Sequence, residues 1–151
     1  MTAQSSGALE VRLEQHIPAP VKKVWRIVST TEGMQQWLGP KTYEPEVGGR
    51  VLFDVRHDGT RWLMFGSVQE LVEPTRISFT WQEFDTGTLN CWPAPTLVTI
   101  SLAEQDGGCL VRLEHSGFDA LPNAAAECAS YQQGWTSRNV LELLAQLAAR
   151  Q

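Results

Sequence analysis

The sequence predicts an α+β domain: an antiparallel sheet of about seven strands, two short helices after the first strand, and one long C-terminal helix. Three observations carry this. Residues 122–151, PNAAAECASYQQGWTSRNVLELLAQLAARQ, hold no proline after their first position and are rich in good helix formers. Residues 41–116 read instead as alternating apolar and polar positions, punctuated by Gly, Pro and Asp turns. Between the first strand and those runs lie two short stretches with helical spacing.

Each element has its own local reason. From residue 9, Leu9, Val11, Leu13 and Ile17 fall on one face and Glu10, Arg12, Glu14 and His16 on the other, which is a half-buried strand. Pro18-Ala19-Pro20 ends it and opens a helix, since proline suits a first helical turn. Val21, Val24, Trp25 and Val28 then form an apolar stripe. Thr31 is the expected cap of a second helix reaching Trp37, and Leu38-Gly39-Pro40 turns the chain. An irregular strand over 41–47 stops at Gly48-Gly49, and 50–56 alternates Val51, Phe53 and Val55 against Leu52, Asp54 and Arg56. His57-Asp58-Gly59-Thr60 carries the Asp-Gly hairpin signal. Strands follow over 61–72, where Gly66 marks a bulge or a close backbone approach, and over 76–84, where Ile77, Phe79 and Trp81 share a face. Residues 85–95 read as a loop. Strands over 96–104 and 109–115 flank the tight turn Asp106-Gly107-Gly108.

Composition narrows the class. Of 151 residues, 42% are apolar and 19% charged, as in ordinary globular chains. Net charge is −5 with no basic run, so the electrostatic footprint of a nucleic-acid binder is missing. Cys91, Cys109 and Cys128 form neither a disulfide framework nor a CxxC motif. With no signal-like start and no apolar run of spanning length, the expectation is a cytoplasmic chain without a membrane span. Residues 1–7 are expected to be a disordered tail and 8–151 a single domain.

Catalytic motifs are few. GxGxxG, P-loop, GxSxG and HExxH patterns are absent, and His16, His57 and His115 lack metal-ligand spacing, so no metal or cofactor is expected. His115-Ser116 cannot form a triad pair, because strand neighbours point to opposite faces. His115 lies on the inward side of its strand, with Val111 and Leu113. It is either a core histidine satisfied by a hydrogen bond, or a polar anchor or acid–base group in a pocket. The six tryptophans pose a similar choice, and Trp37 and Trp92, beside turn prolines, are placed where rims form more readily than cores. Arg138 is one turn beyond Trp135, on a stripe with Tyr131. It either faces the sheet, needing an anionic partner, or snorkels to solvent.

Ordered local motifs carry a family resemblance. They are Ile17-Pro18-Ala19-Pro20 with Val24-Trp25, Trp37-Leu38-Gly39-Pro40, Val47-Gly48-Gly49-Arg50, Glu70-Leu71-Val72-Glu73-Pro74, Phe79-Thr80-Trp81, His115-Ser116-Gly117-Phe118 and Gly134-Trp135. Together they resemble the START-like, or birch-pollen-allergen-like (SRPBCC), superfamily, and within it the branch related to the activator of heat-shock-protein-90 ATPase. The resemblance implies a helix-grip fold, a curved sheet gripping the C-terminal helix with a cavity between them. It implies binding of lipids, steroids, polyketides or other hydrophobic molecules, with some members acting as cyclases or hydrolases.

The expected function is therefore binding of a small hydrophobic ligand, with no catalytic residue assigned. Phe53, Val55, Trp81, Val98, Ile100, Leu113 and His115 would line the cavity beneath Tyr131, Trp135 and Arg138. The alternatives are an enzyme on an apolar substrate using His115 or a carboxylate, and a protein contacting a chaperone or a second copy of itself. One departure from the resemblance bears on this. Four and seven residues after Trp135 stand Asn139 and Glu142, and the apolar set Val140, Leu143 and Leu147 comes one residue late. A π-bulge near Gly134 would realign the stripe. Otherwise the helix end turns a second apolar face to a partner. Gly134 itself is expected to let the helix approach the sheet or a ligand closely.

Overall fold

The computed structural model describes residues 9–150, so the tail expected over 1–7 lies outside the described residues. Eight strands form one antiparallel sheet: β1 (Val11–Ile17), β2 (Thr42–Tyr43), β3 (Arg50–His57), β4 (Thr60–Val72), β5 (Arg76–Asp85), β6 (Asn90–Cys91), β7 (Thr96–Gln105) and β8 (Gly108–Ser116). Their order is β1-β8-β7-β5-β4-β3-β2, with β6 paired beside β5. The strand beyond the expected seven is β6, two residues inside the 85–95 segment, too short to leave an alternation signal. Helices α1 (Val21–Ser29) and α2 (Thr31–Trp37) follow β1, as the sequence predicts. The cap of α2 is Thr30 rather than Thr31, its hydroxyl accepting from the Gly33 N–H at 3.1 Å.

Both Asp-Gly hairpins form with the expected chemistry. Asp58 and Gly59 have φ of 50° and 78°, and Asp106 and Gly107 have 51° and 77°, the paired positive values of a type I′ turn. These turns set the register of β3 on β4 and of β7 on β8. A register shift between Val68 and Glu70 is the bulge in β4. Gly66 is the close approach: a Cβ there would stand 1.8 Å from the Thr80 carbonyl oxygen.

The C-terminal helical stretch runs from Ala124 to Ala149 in two segments, α3 (Ala124–Ser137) and α4 (Val140–Ala149). The discontinuity is not a π-bulge at Gly134. It is Asn139, held at φ 53° and ψ 46°. Among residues other than glycine, Asn is one of the few that enter this left-handed region routinely. Breaking there lets α4 choose its own rotational phase. Val140, Leu141, Leu144, Leu147 and Ala148 are all buried, on helical spacing, where α4 packs on α1, α2 and β1. The face expected to meet a partner is therefore part of the chain's own core.

Trp37 secures this arrangement. Only 4% exposed, it donates from its indole Nε1 to the Val140 carbonyl at 2.7 Å. It belongs to the core and not to a rim. Trp92, 8% exposed, corrects the same expectation.

Gly134 also departs from expectation, for a Cβ there would meet nothing within 4 Å. Its lack of a side chain serves no close approach and costs helix stability. Gly134→Ala is expected to stabilise the protein by about 0.5–1 kcal/mol. Gly66→Ala, forced against backbone, should cost more than about 2 kcal/mol. Urea unfolding of both variants measures this, and a shift of the same sign in both would contradict the placement.

Candidate functional site

Cross-strand register decides which side chains share the face beneath α3. Phe53 pairs with Met64, Val55 with Trp62, Met64 with Glu83, and Val98 with both Phe79 and His115. One face therefore carries Phe53, Val55, Trp62, Met64, Phe79, Trp81, Glu83, Val98, Ile100, Leu113 and His115. Val98, Ile100, Leu113 and His115 are fully buried, Phe53 and Trp81 are 5% exposed, and Val55 is half-buried. From above, α3 contributes Trp135, 6% exposed, and the half-buried Tyr131.

The space between is filled by rings. Trp81 lies 4.9 Å from Phe53, 5.5 Å from Trp135, 5.7 Å from His115 and 5.9 Å from Tyr131, measured between ring centroids. Phe118, in the short 3-10 helix Phe118–Ala120, adds a ring 4.6 Å from His115. These are favourable tilted and edge-on separations. Two surface depressions lie elsewhere, one beside α1 and α2 at Lys23, Arg26 and Gly33, the other along α3 at Ala129, Gln132 and Thr136. Nine of the ten residues expected at the site come together. Arg138 does not: it ends α3 exposed to solvent, the snorkelling alternative.

The polar atoms in this cluster determine one another's hydrogens. The Thr96 hydroxyl donates its single proton to the Trp81 carbonyl at 2.7 Å. It must then accept from His115 Nε2, also at 2.7 Å. Trp135 Nε1–H donates to His115 Nδ1 at 3.1 Å. His115 is thus neutral, protonated on Nε2, with its only lone pair already engaged. Burial pushes its pKa down to about 3. A histidine so committed has no free nitrogen for acid–base work, and it fits the core reading of the sequence.

A second chain of bonds was not foreseen. Trp81 Nε1–H donates to the Tyr131 hydroxyl at 2.9 Å, which donates to Glu83 Oε1 at 2.7 Å. Trp92 Nε1–H reaches Glu127 Oε2 at 3.1 Å, tying the 85–95 segment to α3. Burial raises the Glu83 pKa and its bond from Tyr131 opposes this, while the Glu127 and Asp85 charges raise it further. Glu83 sits at alternation distance from Trp81, which was the available signal. What hid it was the absence of a sequence-near partner.

The sign of the His115 shift fixes a pH dependence. A folded-state value near 3, against about 6.5 in the unfolded chain, means that the unfolded state takes up the proton first. The contribution, of the order of a few kcal/mol, is fully present above about pH 6.5 and is lost as pH falls toward 3. His115→Gln removes the titration. Thermal melts between pH 6.5 and 4 are expected to slope less steeply for that variant, and parallel slopes would remove His115 from the account.

Solved structures match over nearly the whole chain. A crystal structure of a Mesorhizobium loti protein has a TM-score of 0.73 at 25% identity, covering 93% of this chain and 97% of the other. One from Chromobacterium violaceum has a TM-score of 0.72 at 26% identity, covering 93% and 96%. DynU16, described as a protein of the dynemicin biosynthetic locus, has a TM-score of 0.67 at 21% identity, covering 91% of this chain and 46% of its own. No curated protein matches. Among the described residues no helix is long and apolar enough to cross a membrane. The family model for activator of Hsp90 ATPase homolog 1-like proteins matches residues 18–149, and the chain belongs to that family within the SRPBCC superfamily.

Proposed function

We propose that this protein binds a small hydrophobic molecule between the sheet and α3, and that α3 moves to admit it. The observation that carries the reading is the unequal attachment of the two C-terminal helices. Helix α4 buries five side chains, whereas α3, though longer, buries only Trp135. What holds α3 is largely polar and aromatic: Trp135 to His115, Trp81 through Tyr131 to Glu83, and Trp92 to Glu127. A neutral bond of this kind contributes about 0.5–1.5 kcal/mol net and one to a carboxylate about 1.5–3 kcal/mol, and ligand or water can replace either. Asn139 separates this segment from the packed α4, so α3 can lift, taking Trp135 with it, while the packing of α4 stays intact.

The half-buried Val55, Trp62 and Met64, on the same sheet face as Glu83, extend an apolar floor toward the sheet edge, where a ligand would enter. One structural neighbour is itself a protein of the dynemicin biosynthetic locus, which agrees with a small organic ligand. Enzymatic use of His115 has less support, since both ring nitrogens are engaged while α3 is docked and Nε2 stays bonded to Thr96 when it lifts. The chaperone or self-contact reading loses most of its proposed surface, since Val140 and Leu147 are buried and Leu143 is half-buried against the core. The free cysteines Cys91, Cys109 and Cys128 favour a cytoplasmic setting.

Hydrogen exchange tests the moving roof. Amides of 126–137 are expected to exchange faster than those of 143–148, and to slow when a hydrophobic compound binds. Equal exchange across both helices would count against the reading. So would a compound that binds without shifting the indole N–H signals of Trp81 and Trp135.

A further inference from the structure

The Tyr131 ring stands in a cage of other rings. Its centroid is 5.0 Å from His115, 5.5 Å from Trp92, and 5.9 Å from both Trp81 and Phe118. At the end of this cage its hydroxyl meets one donor, Trp81 Nε1 at 2.9 Å, and one acceptor, Glu83 Oε1 at 2.7 Å. Both of those groups belong to β5, so they stay in place when α3 leaves. They then face a space with the N–H of a buried indole and a half-buried carboxyl both missing their partner, which is costly unless something replaces it.

We propose that this slot is a recognition site for a phenolic hydroxyl, that Tyr131 occupies it in the closed form, and that the natural ligand is a hydroxylated aromatic compound whose phenol takes Tyr131's place. The inference rests on the reading of α3 as a movable roof and names the ligand class for that same site. A phenol supplies what the slot lacks: a flat ring for the cage, an oxygen to accept from Trp81, and an acidic hydrogen for Glu83. An aliphatic chain supplies none of these, and an aryl ether supplies the oxygen without the hydrogen. The remainder of the ligand would lie along Met64, the cross-strand neighbour of Glu83, and along Trp62 and Val55.

The test titrates the full chain at neutral pH by calorimetry with 2-naphthol, 2-methoxynaphthalene and decanoate, and follows the indole N–H signals of Trp81 and Trp135. The expected result is 2-naphthol binding at least tenfold tighter than its methyl ether, with the Trp81 signal displaced. Glu83→Gln should shrink that preference to less than threefold while leaving the ether unchanged. Tyr131→Ala, which empties the slot, should tighten 2-naphthol severalfold. Equal or tighter binding of the ether or of decanoate beneath α3 overturns the phenol assignment and leaves the movable roof standing. Failure of all three compounds to perturb either indole, in the wild type and in Tyr131→Ala, overturns both. Should Tyr131→Ala not fold, the comparison of the three compounds on the wild type still decides.

Discussion

A single left-handed residue sets the character of the C-terminal half. Asn139 ends one helix and begins another, so the two segments do not share a rotational phase. Without it, a continuous helix would set Val140 about 140° round from Trp135 at 100° per residue, and the two could not both face the core. With it, Trp135 and Tyr131 point at the sheet while Val140, Leu144 and Leu147 pack against α1, α2 and β1. The core is closed by α4, and α3 is left as a roof. Trp37 reinforces the division by donating to the Val140 carbonyl, fixing the first turn of α4 beside the break.

The roof and its floor meet through an unusual share of polar contacts for so apolar a place. Three indole N–H groups, an imidazole, a phenol, a threonine hydroxyl and two carboxylates form short chains with assignable direction. Buried polar groups of this kind define one arrangement, because each is costly when unpaired. They also make undocking local: separating α3 breaks a few exchangeable bonds and exposes one fully docked ring, Trp135, whereas separating α4 would open five buried apolar positions. Stability and mobility are thereby assigned to adjacent segments of one helical stretch.

His115 and Glu83 show how neighbours decide chemistry. Both lie on the same face of the sheet, and both are shifted by burial. The imidazole has a donor and an acceptor already supplied, by Trp135 and by Thr96, and is locked in one neutral tautomer. The carboxyl faces α3, is bonded only through a side chain of that helix, and stands near two further carboxylates. When α3 moves, Glu83 loses its Tyr131 donor and His115 its Trp135 donor, but His115 keeps its bond to Thr96 on the sheet.

Most of the fold was legible locally. Alternation placed β1, β3, β4, β5, β7 and β8, the two Asp-Gly pairs set hairpins, and helical spacing placed α1 and α2, since each signal depends on residues within a few positions. The inward set of Phe53, Trp81, Val98, Ile100, Leu113 and His115 followed from period two. Other features needed the assembled chain. Burial of Trp37 and Trp92 depends on α4 and on Glu127, far away in sequence. Asn139's left-handed conformation answers two packing faces at once, and nothing in the flanking residues specifies it. The sequence by itself determined which strand residues face inward. Only the tertiary structure decided that rings fill the space beneath α3, that Arg138 leaves it, and that Glu83 joins it, because those outcomes depend on distances between elements that local patterning does not encode.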